Sequence, residues 1–441
     1  MGHALPAGWE GTLREGQGSE SGARRPVPGT RPGGTPRGMR KGVFMDSRKM
    51  MKRGLLVLGC AAGAAALRSL GRTAPPEEEG DLAAGMEIRL ETFRTRDGAV
   101  LRVKRYAREG GQPVILAHGF TGNGLEFDLP HRRQNLALFL AENGYDVWVS
   151  SFRGCGRDPY RSEAPHWLHS VDHLAAFDAD ALIRGVGETT GRKPLWIGHS
   201  MGGMVLYMYL QGAAMEAGSE GSFRADADLA AERNRSLLGG IAIGSPPGLH
   251  QGGGDWIASL SRLPAFRVNV RGLVSYLERL DRKSPCIDFG RLGVVCERNP
   301  RLGKQLAARG PVARALYNAK NVDPDVGYSL LKWASDKVTA RMTIQIVRLG
   351  LDPDFRSYDG TWNYTAGMER LSAPMFFVTG TRDFAGADNL RLQGYQAVSS
   401  PIRDYKCYPE YGHTDLVMGK RVYEEVYPDI LAWMRKVESG G

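Results

Sequence analysis

The sequence predicts an α/β protein, a mostly parallel, doubly wound sheet with a helical cap insertion, and three observations predict it. Short apolar runs at 113–117, 146–150 and 194–197 alternate with helical segments, the rhythm of buried parallel strands and their crossovers. A glycine-flanked turn, Gly198-His199-Ser200-Met201-Gly202-Gly203, joins one such run to the apolar segment 204–210. The strand rhythm stops after residue 248 and returns at 374–379, which marks residues 249–368 as an insertion.

A chain of 441 residues suits one large domain carrying an insertion, and 42% hydrophobic residues suffice for a sizeable core. The formal charge of +10 belongs to the leader: residues 1–74 hold 13 Lys and Arg against 4 Asp and Glu, the rest 45 against 44. The remainder is close to neutral, so charge gives no argument for a nucleic-acid groove. Five cysteines without a Cys-x-x-Cys pair, and no His-Glu-x-x-His, suggest neither a disulfide scaffold nor a metal site, and no cofactor is expected. Cys286 and Cys296, ten apart in a Pro/Gly-rich stretch, are placed to close a local loop in an oxidising compartment. Cys155 and Cys407, at strand ends, read as packed thiols.

In chain order, residues 1–44 contain 11 Gly and 5 Pro without apolar periodicity and are expected to be disordered. Residues 45–85 read as an export signal or N-terminal anchor followed by a linker. There Arg48-Lys49-Met50-Met51-Lys52-Arg53 precedes residues 54–67, which carry no charge. That apolar stretch is shorter than the roughly 20 residues of a spanning helix. Arg68 and Arg72 directly behind it keep an uncleaved anchor open. Export, or membrane association through residues 54–67, is the expectation, with a cytoplasmic location as the alternative.

The core is expected at 86–248 and 369–441. Residues 88–93 and 100–106 alternate around Arg96-Asp97-Gly98 as a β-hairpin does. The inner strand 113–117 ends in His118-Gly119-Phe120-Thr121-Gly122. A helix over about 131–143 leads to the strand 146–150, closed by Ser151-Phe152-Arg153-Gly154-Cys155-Gly156. Leu174, Phe177, Ala181 and Leu182 give residues 171–186 one apolar helical face. After the serine turn come a polar connection at 217–234 and a strand at 240–244. The insertion shows helical patches at 273–280, 301–308 and 328–349. Strands at 374–379 and 404–408 complete the sheet.

The serine turn carries the chemistry. A strand, a tight turn and a helix force Ser200 into an unfavourable backbone conformation with its hydroxyl exposed. Side chains at 198 or 202 would collide with the neighbouring strand and helix, a steric reason for both glycines.

The ordered set of His118-Gly119, the Arg153-Gly154 loop, the Ser200 elbow, Asp383 and His413 resembles an α/β-hydrolase of the serine lipase/esterase type, over about residues 86–248 and 370–441. Tyr145-Asp146-Val147-Trp148, Gly380-Thr381-Arg382-Asp383 and His413-Thr414-Asp415-Leu416-Val417-Met418 are similar to acid lipases. Met201 and Phe120 depart from the Gln and Leu usual there. The resemblance implies the α/β-hydrolase fold and a carboxylic ester hydrolase with Ser200 as nucleophile and Asp383 as acid, Asp388 being the fallback. The base follows the serine in this family. Of nine histidines only His250 and His413 do so, and His413 holds the matching position. Phe120 and Met201 N–H groups are the implied oxyanion donors, while His118 is expected to brace its loop. Serine at the elbow sets the chain apart from relatives that carry Asp or Cys there. Residues 249–368 stand where the family inserts its cap, a lid that shields the serine from water. The expected substrate is a hydrophobic, lipid-like ester. An acyltransferase with the same triad and a non-catalytic binding protein of this fold are the alternatives.

Overall fold

In the computed structural model of the protein, the described residues are 83, 85–216, 222–250, 264–283, 286–310, 313 and 316–440. The disorder, export-signal, anchor and linker readings at residues 1–82 lie outside them. Twelve strands occur among the described residues: β1 (Glu87–Arg94), β2 (Val100–Ala107), β3 (Pro113–Ala117), β4 (Asp146–Ser150), β5 (Leu195–His199), β6 (Ala213–Met215), β7 (Phe223–Ala225), β8 (Gly239–Ile243), β9 (Cys286–Asp288), β10 (Lys337–Thr339), β11 (Met375–Gly380) and β12 (Arg403–Tyr408). Eight of them form one sheet in the order β1-β2-β4-β3-β5-β8-β11-β12. The pairs β1–β2 and β2–β4 are antiparallel and every later pair is parallel.

The apolar runs explain this burial. Every residue of β3, β4, β5, β8 and β11 is buried, as expected of strands covered on both faces. Alternate residues serve opposite layers. Ile115, Trp148, Trp196 and Phe377 pack with the segment 171–190 and the helix Met201–Leu210. Leu116, Val147, Ile197 and Phe376 pack with the helices Leu136–Glu142 and Val422–Glu438. The parallel strands end together, so β3, β5, β8 and β11 deliver their following loops to one edge.

Several elements differ from expectation. The helix anticipated at 131–143 is a 3₁₀ turn, Arg132–Gln134, followed by Leu136–Glu142. Asn135 separates them by capping the helix, accepting from Leu138 N at 2.7 Å. The 171–186 helix extends to Thr190 with a π segment at Leu174–Ala179. The connection expected at 217–234 instead carries β7, which pairs antiparallel with the preceding β6, and most of the helix Ala227–Ser236.

In the β8–β11 stretch the expected helix 328–349 is broken, because β10 pairs antiparallel with β9. Asp336 N–H donates to Thr121 O at 2.7 Å and Thr339 Oγ1 donates to His169 O, which draws these residues into an extended path. Cys286 and Cys296 do not close a loop; both are thiols. Cys286 lies in β9, and the helix Gly290–Arg298 turns Cys296 inward against Ala307 and Leu331. Among the described residues no helix is long and apolar enough to cross a membrane.

Candidate active site

The serine turn is built by close approach. A Cβ on Gly198 would lie 2.3 Å from the Gly202 carbonyl carbon, and one on Gly202 would lie 2.0 Å from Ala117 O. Only glycine fits at either place, and the turn forces Ser200 to φ 51°, ψ −116°. The strain is held in place: Ser200 N–H donates to Ile243 O at 2.8 Å, and Trp196 Nε1 donates to Gly202 O at 3.1 Å. Met201 opens the following helix, where first-turn N–H groups have no partner inside the helix.

Two strands along the sheet, β11 leads to Asp383, and the loop after β12 carries His413. His413 Nδ1 donates to Asp383 Oδ1 at 2.9 Å, and Ala385 N–H donates to the same oxygen at 2.8 Å. Both side chains are buried. With Nδ1–H committed to the carboxylate, Nε2 is left as the acceptor. The imidazole lies between Phe384, 4.2 Å away by ring centres, and His199, 4.7 Å away.

Ser200 and this pair meet around Gly244. A Cβ there would stand 3.0 Å from both Asp383 Oδ2 and His413 Nδ1, and its neighbour Ile243 holds the serine amide. Asp388, the fallback acid, instead pairs with Arg391 at the surface. His250 pairs with Asp354 on the β8–β11 stretch. Among the described residues no cluster of three His, Cys, Asp or Glu side chains is arranged to hold a metal.

The loop after β3 lies against the serine: a Cβ on Gly119 would be 3.2 Å from Ser200 Cβ. His118 braces this loop. Its Nδ1 bonds to Gly119 O at 2.9 Å, while Nε2 accepts from Phe152 N at 3.1 Å. Burial holds the His118 pKa below its ordinary value, which suits this neutral tautomer. Phe120 follows Gly119 directly and packs against the apolar cluster that contains Met201.

Three sets of contacts escaped the sequence reading, including those of Arg153, which it named only as part of the Arg153-Gly154 loop. Glu126 and His199 form a buried ion pair beneath the loop, and Glu126 Oε2 accepts from Gly119 N at 2.7 Å. Burial alone would raise the Glu126 pKa, but the His199 charge and hydrogen bonds from His199 and Gly119 outweigh it and hold the carboxyl below its ordinary range. Burial would lower His199, and the Glu126 carboxylate reverses that, raising it. Arg153, fully buried, pairs with Asp178 at 2.6 Å and with Asp97 at 2.5 Å. Leu316 O accepts from His413 N at 3.1 Å and Thr414 N at 3.0 Å, so the β8–β11 stretch supports the histidine loop. Only Arg153 carried a visible signal, a charge at the end of a buried strand. Glu126, His199 and Leu316 are defined by partners distant in sequence.

Residues 112–213 match the family described as alpha/beta hydrolase fold. Over 126 residues the chain is 33% identical to triacylglycerol lipase 2 of Arabidopsis thaliana, covering 25% of this chain and 30% of that one. It is 34% identical over 122 residues to human gastric triacylglycerol lipase, covering 24% and 31%. The matches thus span about a third of these relatives' length. Among solved structures, the alpha/beta hydrolase GrgF from Penicillium aligns at a TM-score of 0.49 and 14% identity, over 80% of this chain and 99% of that one. The matched family segment contains the strands and the turn that carry Ser200. With the sheet order above, the chain has the alpha/beta hydrolase fold.

Proposed function

We propose that the protein is a serine hydrolase that cleaves carboxylic esters of hydrophobic, lipid-like substrates through an acyl-enzyme. The observation that carries this reading is the buried Asp383–His413 hydrogen bond, which reaches Gly244 beside the strained Ser200 backbone. In the proposed reaction His413 Nε2 takes the Ser200 proton as Oγ attacks the ester carbonyl. Asp383 keeps the imidazole in this tautomer and stabilises its cation. The Phe120 and Met201 amides receive the oxyanion, and the alcohol leaves with the proton from His413. Water, deprotonated by His413, then releases the acid and restores Ser200.

The lipid-like preference is supported by the neighbourhood of the donors. Met201 and Phe120 belong to one apolar cluster with Val270, Val274 and Leu277 of the helix Pro264–Lys283. Residues 249–368 act in this reading as a cap that lends apolar walls to the acyl group and excludes water. Residues 86–248 and 369–441 form the catalytic core. The basic and then apolar leader at 48–67 supports export or anchoring.

The test is hydrolysis of nitrophenyl esters from short to long acyl chains. Ser200→Ala is expected to lose about 10⁶-fold in kcat and all labelling by a fluorophosphonate. Turnover close to that of the wild type in this variant would overturn the reading.

A further inference from the structure

The buried pair beneath the loop after β3 has a geometry that packing alone does not require. Glu126 ends a 3₁₀ turn, Gly124–Glu126, that Asn123 caps by accepting from Leu125 N at 3.0 Å. This places the carboxylate inside the molecule, 5% exposed, between two backbone segments. One oxygen, Oε2, accepts from Gly119 N at 2.7 Å. The other, Oε1, is paired with His199 Nδ1. His199 Nε2 in turn bonds to His413 O at 3.3 Å, and the two imidazoles lie 4.7 Å apart.

The register of these partners carries the argument. Gly119 immediately precedes Phe120, one proposed oxyanion donor. His199 immediately precedes Ser200, and Ser200 precedes Met201, the other donor. A single carboxylate therefore holds the residue in front of each arm of the proposed oxyanion hole. Through His199 it also reaches the backbone of the histidine that serves as base. The separation of the two donors is what matters for charge developing on the carbonyl oxygen, because such donors stabilise the transition state only at hydrogen-bonding distance from it. Thr121, next after Phe120, sits at φ 65°, a strained backbone that persists only where surrounding bonds hold it.

Charge is balanced as well. A lone carboxylate under the hole would oppose the oxyanion, whereas one paired with a protonated imidazole presents little net charge. The ionisable groups facing this pair are His118 on the loop after β3, and His413 with its partner Asp383 across the site.

We propose that Glu126 is a positioning residue that clasps Gly119 and His199, and so sets the spacing between the oxyanion donors and the serine–histidine pair. This rests on the serine-esterase reading above. The clasp acts through span: two oxygens must reach two partners at once. Glutamine keeps that span, its oxygen accepting from Gly119 N–H and its NH₂ donating to a neutral His199. Aspartate keeps the charge but is one methylene shorter and reaches one partner only.

The experiment compares the wild type with Glu126→Gln, Glu126→Asp, Glu126→Ala and Ser200→Ala on one nitrophenyl ester, with circular dichroism to verify folding. Glu126→Asp is expected to lower kcat roughly 10- to 100-fold with KM within about twofold, as for partial loss of an oxyanion donor. Glu126→Gln is expected to recover most of that loss, and Glu126→Ala, where it folds, to match or exceed the aspartate defect. Glu126→Asp equal to or faster than Glu126→Gln, or a loss confined to KM, overturns the clasp while the esterase reading stands. A wild type without turnover, or a Ser200→Ala variant as active as the wild type, overturns both.

Discussion

In the sheet, neighbouring residues of one strand go to opposite apolar layers: Ile115 and Trp196 face one set of helices, Leu116 and Ile197 the other. In the β8–β11 stretch, the contacts that reach the loops at the sheet's edge include buried polar bonds made by single residues. Asp336 accepts from Gly156 N at 2.7 Å and Asn123 Nδ2 at 3.0 Å, and its own N–H donates to Thr121 O. Asp172, under the same stretch, accepts from Tyr364 OH at 2.7 Å and Tyr358 N at 2.8 Å. The sheet is held by redundant burial, where each side chain has many replaceable neighbours. The stretch above it also depends on polar groups with few partners each, and losing one leaves buried donors unpaired. The sheet's edge therefore has a rigid base, while the stretch that reaches it depends on a few specific bonds.

The sharpest way to break this comparison is at the acid. Asp383→Asn keeps the shape of the site but presents an amide where His413 needs an acceptor, and kcat is expected to fall about 10⁴-fold. Asp388→Asn, five residues on and exposed beside Arg391, should stay within about twofold. Ester turnover of the two purified variants decides it. Equal losses would show that the sheet edge does not single out one carboxylate.

A smaller effect is expected from the stretch itself. Asp336→Ala leaves the buried Gly156 N–H and the Asn123 amide without this acceptor, at a cost of about 2–4 kcal/mol. Chemical denaturation should record that loss. Hydrogen exchange should place the new opening at residues 333–339 and the loop 118–124, with β3, β5 and β8 still protected. Uniform loosening of the strands would instead mean that the sheet and the β8–β11 stretch share one source of stability.

The same contrast explains what could be read from the chain. The strands announced themselves because β3, β5 and β11 are apolar without interruption, and the elbow because Gly198 and Gly202 have no steric substitute. Asp383 and His413 were reachable because each follows a legible strand. The break at β10 was not: residues 328–349 carry an apolar pattern that fits a helix. What overrides it is a pair of bonds to Thr121 and His169, more than 150 positions away in sequence. Glu126 was hidden because its charge partner, His199, lies at the end of β5, far from it in sequence. The residues around it read like those of a solvated glutamate, and no sequence pattern pairs it with Gly119 or with His199. Local pattern reveals periodic burial; it does not reveal which distant polar groups will meet.

The Glu126–His199 pair sits where the two regimes join, and its pH dependence shows which it obeys. Glu126 has a folded pKa below its ordinary value of about 4.3, so its contribution to stability is complete above that value and is lost as pH falls through the lower folded one. His199 has a folded pKa above its ordinary value of about 6.5. Its contribution is therefore complete below pH 6.5 and is lost as pH rises through the higher folded one. Both contributions are whole only between about pH 4.3 and 6.5. Glu126→Gln removes the charge and with it this window. The melting temperature of the wild type should exceed that of the variant most at pH 5.5, and the gap should narrow as pH rises through the raised folded value of His199, where the buried carboxylate loses its counter-charge. Thermal melts of the two proteins over that rise in pH measure it. A gap that does not change with pH would mean that Glu126 holds its partners by shape alone, as the residues of the sheet do, and that the charge contributes nothing to the clasp.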